Sequence, residues 1–230
     1  MLFYGYYGIF AMLPVILLGI IVQIRMNSAY NKYSKIANNR NMSGASIAKL
    51  ILEGAGIYDV EINCVNGQLT DHYDPARRTV NLSSNVFNGT SIASIGVAAH
   101  ECGHAIQHHI GYFPLRLRSA TVGITNFSSK ILYFLMIGSF LIYSSSFSTL
   151  IFNVATICYA ILFLFQLITL PVEFNASKRA LEQIRTAGFE TQSIKGVKSV
   201  LTAAALTYVA SAVTALWQLL IMLSRTRNRR

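Results

Sequence analysis

The charged residues divide the chain into apolar stretches and polar connections. Three mostly apolar stretches contain no Asp, Glu, Lys or Arg, namely residues 1–24, 131–172 and 199–224. About 20 mostly apolar residues cross the hydrocarbon layer as a helix, so each stretch is long enough for a transmembrane span. Residues 131–172 have room for two spans, and the serine-rich segment 144–148 is predicted to form the turn between them. The pattern therefore predicts four candidate membrane helices.

The polar region between the first two stretches predicts a small α+β unit. After the segment 43–46, the positions Ile47, Leu50 and Ile51 have helical spacing and predict a helix that ends near Gly54 or Gly56. Residues 60–65 alternate between apolar and polar as a half-buried strand does. A small sheet is expected to follow this helix.

Turn signals organise the predicted sheet. Asn66-Gly67 indicates a hairpin turn, and residues 79–82 predict another strand after Asp74-Pro75. The strand over 78–82 is a candidate edge to which an extended peptide could add by backbone hydrogen bonds, or an ordinary structural hairpin. For the segment Asp71–Asp74, a turn built by Asp74-Pro75 is preferred over a second cation site or a substrate-binding motif.

A longer helix is predicted directly after this sheet. Thr90 or Ser91 supplies an N-cap, and residues 92–109 contain no proline and only Glu101 among the four charged residue types. We therefore expect one uninterrupted helix over Ile92 to His109.

Composition and charge place the chain in a membrane. Hydrophobic residues make up 53% and charged residues 12% of the chain, and the mean hydropathy of +0.46 does not fit a soluble globular protein. The net charge of +10 comes from Lys and Arg lying mainly just beyond the apolar stretches, where they would meet lipid headgroups, so a nucleic-acid partner is not expected. Cys64, Cys102 and Cys158 form no CxxC pair, which argues against a disulfide or a cysteine-zinc site.

The basic residues also predict an orientation. Residues 1–24 lack a basic leader and a small-x-small pattern before Arg25, so they are interpreted as a retained anchor rather than a cleaved signal peptide. Basic residues follow this anchor, which places residues 25 to about 118 in the cytoplasm. Residues 199–224 do not fit the rule, because a crossing helix would leave the basic C-terminus outside. They are predicted to be either a span or a kinked or interfacial helix.

The segment from His100 to His104, HECGH, carries the candidate chemistry. Two histidines four residues apart on a helix direct their imidazoles at one metal ion, and Glu101 beside them can act as general base toward a zinc-activated water. The alternative, three polar side chains on an exposed helix face, is disfavoured because a charged Glu among apolar neighbours is costly to bury without a partner.

Catalytic zinc takes three protein ligands and an open position, so a third ligand is required. His108 lies about 12 Å beyond His100 along a helix, too far to share the ion, and His108 and His109 are predicted to be a polar helix end. The third ligand should therefore come from a separate element. Glu173, the first charge after the third predicted span, is the preferred carboxylate, and an ion pair of Glu173 with Lys178 or Arg179 is the alternative.

The order of these motifs resembles membrane gluzincins of the HtpX and CAAX-processing type, in which HExxH is followed, after two transmembrane helices, by a helix with a Glu ligand. Residues 173–177, EFNAS, match that helix, with Ser177 where those families have Asp. Residues 70–75, 99–108, 171–177 and 203–209 more closely resemble the YugP-type bacterial membrane zinc metallopeptidases. The resemblance implies His100, His104 and Glu173 as ligands of one Zn²⁺ ion and Glu101 as base.

These observations lead to one overall expectation. The fold class is a predominantly α-helical integral membrane protein with three to four transmembrane helices and a gluzincin-like α+β catalytic region containing a small β-sheet. The expected activity is peptide hydrolysis, on membrane or membrane-proximal proteins, in a multi-pass protein of the bacterial plasma membrane. The predicted regions are an anchor (1–24), a cytoplasmic catalytic region (25–118), a transmembrane hairpin (119–172), a third-ligand helix and connection (173–198), and a C-terminal transmembrane or interfacial helix with a basic tail (199–230).

Two other functions fit parts of the same pattern. A metal-binding membrane adaptor or chaperone would keep the fold without turnover. A metal transporter would need His, Asp or Glu inside the spans, and the uncharged stretches contain none of these residues. For the peptidase, the candidate transition-state stabilisers are Arg179, His108 and Tyr208.

Overall fold

The computed structural model of the chain describes residues 2–139 and 145–227. Helices dominate this part of the chain, and a three-stranded sheet follows the second helix. In chain order the elements are α1 (Leu2–Tyr33), α2 (Gly44–Gly54), β1 (Glu61–Val65), β2 (His72–Asp74), β3 (Thr79–Ser83), α3 (Ser84–Phe87), α4 (Ile92–His109), α5 (Phe113–Ser139), α6 (Ser145–Thr186) and α7 (Thr191–Arg227).

Three helices are long and apolar enough to cross a membrane, which confirms the predominantly α-helical membrane class. Within the described residues the candidate spans are Phe10–Tyr33, Leu150–Thr186 and Thr191–Ser224, in α1, α6 and α7. The turn predicted at 144–148 is wrong from residue 145 onward, because α6 begins at Ser145, and residue 144 lies outside the described residues.

The chain divides into two compact units. The first unit comprises the described residues of 1–20, 116–171 and 208–230, and it contains most of the apolar helical length. The second unit comprises residues 21–115 and 172–207, and it contains the sheet, α2 to α4 and the adjoining parts of α1, α6 and α7. The candidate metal ligands all belong to the second unit.

The sheet of the second unit has the strand order β1-β3-β2, with β1 parallel and β2 antiparallel to β3. The hairpin predicted at Asn66-Gly67 is therefore wrong: Gly67 turns the chain at a φ of 109°, but β1 pairs with β3 and not with the strand that follows the turn. Of the two alternatives for residues 78–82, the edge strand is wrong, because β3 is central and β1 and β2 are the edges. The structural hairpin is present, since β2 pairs antiparallel with β3.

The hydrogen bonds of Asp71 hold β2 beside β3. The Asp71 carboxylate accepts from the backbone N–H of Ser83 at 2.7 Å and from its hydroxyl at 3.0 Å, which places the start of β2 beside the end of β3. Val80 and Leu82 of β3 are fully buried, as expected for a strand with neighbours on both sides. β3 thus has β2 on one side and β1 on the other.

Helix α4 forms the centre of the second unit and has the bounds predicted from the sequence. The Ser91 side chain accepts from the N–H of Ser94, so Ser91 is the N-cap. The apolar side chains of α4 are buried against α2, the sheet and α6. This core contains Ile47, Ile51, Val80, Leu82, Ile92, Ile95, Ala98, Ala99, Cys102, Ala180 and Ile184.

Candidate metal centre

Two histidines of α4 face the same point from successive turns. His100 and His104 lie four residues apart on an uninterrupted helix, so their side chains share one face. Their ring centroids are 4.8 Å apart and the ring planes are nearly perpendicular, at 80°. Both imidazoles are largely buried, which makes this face of α4 a pair of preformed nitrogen donors.

Glu173 of α6 completes the cluster from the opposite side. Its Oε2 lies 3.3 Å from Nε2 of His100 and 3.6 Å from Nε2 of His104. One ligand atom from each residue can be chosen so that all three lie within 4.8 Å of one another. The Glu173 side chain is only 3% exposed, so its carboxylate faces the two histidines and not solvent. Of its alternative ion-pair partners, Lys178 lies 3.9 Å from Glu182 and Arg179 donates to Asn175.

A glycine permits the close approach of the two helices. A Cβ atom at Gly103 would lie 2.6 Å from the carbonyl oxygen of Ala176, a distance that real Cβ atoms essentially never adopt. Ala176 is three residues after Glu173 on α6, and Gly103 is next to His104 on α4. The absence of a side chain at Gly103 therefore brings the carboxylate of α6 to the histidines of α4.

Gln107 holds the ring of His104. Its Oε1 lies 3.0 Å from Nδ1 of His104, and its Nε2 donates to the Val172 carbonyl at 2.8 Å and to Asn175 Oδ1 at 3.0 Å. The Gln107 side chain is fully buried, so these bonds are not exchanged with water. An acceptor at Nδ1 directs the lone pair of Nε2 toward Glu173, as a metal-ligating histidine requires. The Arg179 Nε donates to the same Asn175 oxygen at 2.8 Å and fixes that amide in turn.

Ser177 plays the matching part for His100. Its hydroxyl lies 3.3 Å from Nδ1 of His100, on the side away from Glu173. Ser177 stands where the gluzincins that the sequence resembles have Asp, so a neutral oxygen, and not a carboxylate, faces the ring of His100.

Glu101 is held by a backbone group of the sheet. Its Oε2 accepts from the N–H of Tyr73 at 3.0 Å, and the residue is 8% exposed. Tyr73 belongs to β2, the edge strand beside α4. The carboxylate next to the histidines is therefore oriented by a hydrogen bond from the backbone.

The donor set fits zinc. Two imidazole nitrogens and one carboxylate oxygen are the ligands of a His₂Glu catalytic site, which leaves a fourth position open. The electrostatics favour a cation there. Burial works to lower the pKa of His104, but the hydrogen bond to Glu173 and the charges of Glu101 and Glu173 outweigh it, so the pKa lies above its ordinary value. Positive charge is thus stabilised at this point.

The remaining candidate residues are placed differently. His108 contacts Tyr73, and His109 is exposed at the C-terminal end of α4. Arg179 lies on α6 and Tyr208 on α7, the latter within the first unit. Their roles as transition-state stabilisers stay predictions.

The turn predicted at Asp74-Pro75 is present, at residues 75–78, whereas residues 72–74 form β2. Asp74 Oδ1 accepts from the backbone N–H groups of Ala76 and Arg77, at 2.9 and 3.2 Å. Together with the bonds from Asp71 to Ser83, these contacts commit both carboxylates to structural hydrogen bonds. A structural role for the segment accounts for both aspartates.

Two residues at the site were not predicted from the sequence. Gln107 is an uncharged polar residue on a buried face of α4. Its spacing of three residues from His104 is the local feature that relates it to the site. Tyr73 reaches Glu101 across 28 residues, and no local pattern reveals such a contact.

Comparisons with known proteins agree with this geometry. Residues 8–227 match the family described as "Putative neutral zinc metallopeptidase". The chain is 45% identical over 199 residues to the "Putative membrane protease YugP" of Bacillus subtilis (strain 168), which covers 86% of this chain and 87% of that protein. No solved structure matches the chain significantly.

Proposed function

Since the chain belongs to this family of neutral zinc metallopeptidases, we propose that it hydrolyses peptide bonds at one zinc ion held by His100, His104 and Glu173, with Glu101 as general base. The observation that carries the proposal is the convergence of the two Nε2 atoms on Glu173 Oε2, at 3.3 and 3.6 Å. In gluzincins the same three residue types hold catalytic zinc, and this arrangement is of that kind.

The chain's own residues supply the rest of the chemistry. When bound, zinc lowers the pKa of a coordinated water toward neutrality and polarises the scissile carbonyl. Glu101, next in sequence to a ligand, accepts the proton of the attacking water and returns it to the leaving amine nitrogen. The Tyr73 N–H on Oε2 of Glu101 holds the carboxylate in one rotamer for both transfers. Gln107 and Ser177 keep the two imidazoles aimed at the metal.

The position of Glu173 in the sequence suggests the class of substrate. Residues 131–172 are uncharged, and Glu173 follows them directly on α6. The centre is therefore proposed to lie near the cytoplasmic membrane surface, where membrane proteins or membrane-proximal peptides reach it. Cleavage of a membrane-anchored peptide faster than of its soluble form supports this proposal, and equal cleavage of both contradicts it.

The Glu101→Gln variant tests the mechanism. The amide keeps the size of the side chain but cannot take a proton, so hydrolysis is expected to fall by at least about a hundredfold while one zinc per chain is retained. Glu53→Gln, on the exposed side of α2, is the matched control and is expected to cleave normally. Full activity of Glu101→Gln would show that Glu101 is not the general base.

Measurements on the unmodified protein separate the peptidase from the rival functions. An adaptor of this fold would bind zinc in the unmodified protein without cleaving peptides, and a transporter would move metal across vesicle membranes. Peptide cleavage that a chelator abolishes and added zinc restores supports the peptidase, whereas zinc binding without turnover supports the adaptor.

A further inference from the structure

Tyr73 links two residues of the metal-bearing helix. Its backbone N–H donates to Glu101 Oε2 at 3.0 Å, and its phenol oxygen lies 2.7 Å from Nδ1 of His108. Glu101 and His108 are seven residues apart on α4, so they share a helix face and are separated by about 10 Å along the axis. Tyr73 thus spans the distance between them, with its amide at one end and its hydroxyl at the other.

The polarity of the second hydrogen bond follows from the surroundings of the phenol. Burial, with a smaller contribution from the Asp74 carboxylate, raises the pKa of Tyr73 to about 12. The phenol therefore keeps its proton and can donate a hydrogen bond to Nδ1 of His108.

The strand that carries Tyr73 has few other attachments. β2 is three residues long and lies at the edge of the sheet, paired with β3 on one side only. Short edge strands have few backbone hydrogen bonds, so side-chain contacts decide how firmly they are held. The ring of Tyr73 packs beside His108, with centroids 5.8 Å apart, and this pair ties β2 to α4.

We propose that Tyr73 and His108 are positioning residues for hydrolysis. Their hydrogen bond keeps β2 in place against α4, and this keeps the Tyr73 amide on the carboxylate of Glu101. The inference rests on the proposed function and adds two residues that orient its general base. Neither side chain needs to touch substrate or metal, so their loss should slow turnover without releasing zinc.

The test compares kcat, KM and zinc content in Tyr73→Phe, His108→Leu and the double variant. Each single variant removes the same hydrogen bond, so kcat is expected to fall about tenfold, with KM changed less than twofold and zinc retained. The double variant should be no slower than either single one, because the two residues act through one contact.

A conservative replacement separates positioning from general structural support. In His108→Asn the side-chain oxygen can accept near the place of Nδ1, so kcat is expected to return to within about threefold of the unmodified protein. Tyr58→Phe, at a tyrosine that is 81% exposed, and His109→Leu, at an exposed histidine, are matched controls expected to retain normal kcat.

The outcomes distinguish failure of the positioning role from failure of the proposed function. An unchanged kcat in Tyr73→Phe, additive losses in the double variant, or zinc loss in all three variants would overturn the positioning role and leave the peptidase intact. Absence of hydrolysis by the unmodified protein would overturn the proposed function, and this inference with it. If Tyr73→Phe does not fold, the comparison of His108→Leu with His108→Asn decides the question alone.

Discussion

Each histidine of the centre is held at its second ring nitrogen by a neutral oxygen, from Gln107 for His104 and from Ser177 for His100. A neutral acceptor fixes the tautomer and the ring orientation of a ligand. A carboxylate in the same place also raises the basicity of the imidazole and makes a stronger, charge-assisted hydrogen bond. Ser177 is therefore a position at which zinc affinity can be tuned in either direction.

We predict that Ser177→Asp tightens zinc binding and that Ser177→Ala weakens it, each by about tenfold. The measurement is the zinc dissociation constant, obtained by competition with a chromophoric chelator. Ser46→Asp places the same charge on the exposed side of α2 and is expected to leave the constant unchanged. Weaker binding by Ser177→Asp would show that the hydroxyl is needed for a reason other than orienting His100.

The sequence revealed the residues whose roles depend on spacing along the chain. His100, Glu101 and His104 form a helical motif within five positions, and Glu173 is conspicuous as the first charge after a long uncharged stretch. Tyr73 and the hydrogen bonds of Gln107 to α6 could not be predicted, because their partners lie 28 to 68 residues away and depend on packing. Local pattern indicates the candidate ligands, whereas the groups that orient them depend on the tertiary structure.

At the scale of elements, the contact of α4 with α6 decides whether the centre exists. The two helices meet at Gly103 and Ala176, where a Cβ on Gly103 would lie 2.6 Å from a backbone oxygen. A backbone atom cannot rotate away as the end of a flexible side chain can, so relief requires one helix to move. Such a movement would carry Glu173 away from the histidines.

We predict that Gly103→Ala lowers zinc affinity at least about tenfold and also lowers the melting temperature, since overpacking costs about 1–3 kcal/mol. Bound zinc and thermal unfolding of the purified protein measure both effects. Gly123→Ala on α5 is the control, because a Cβ there meets nothing within 4 Å. Its stability should be equal or slightly higher, since Ala favours a helix over Gly. Normal zinc binding by Gly103→Ala would contradict the proposed role of this contact.

The elements themselves were predicted better than their arrangement. Helix α4 has the predicted bounds, because a serine N-cap and an unbroken apolar pattern are local features. The sheet was expected, but its strand order was not. A turn signal at Asn66-Gly67 predicts that the chain reverses, but it does not predict that β1 pairs with β3 while Asp71 holds β2 on the other side of β3.

At the scale of the whole molecule, the distribution of basic residues predicts that the metal centre faces the cytoplasm. Cys64 on β1 reports on this, because it is exposed and belongs to the unit that holds the centre, whereas Cys102 and Cys158 are buried. We predict that a membrane-impermeant maleimide labels Cys64 in inside-out vesicles and not in intact cells. Cys64→Ser is the control for the specificity of labelling. Labelling of Cys64 in intact cells would contradict the predicted cytoplasmic orientation.

In the proposed centre two distant parts of the chain, α4 and α6, share one zinc ion. The zinc content per chain of the purified protein and of Glu173→Gln tests this sharing. The Gln side chain keeps the size of Glu173 but lacks its charge. Glu182→Gln, at an exposed carboxylate of the same helix, is the matched control. We predict one zinc per chain in the unmodified protein and in Glu182→Gln, and little retained zinc in Glu173→Gln. A full equivalent of tightly bound zinc in Glu173→Gln would contradict the assignment of the third ligand.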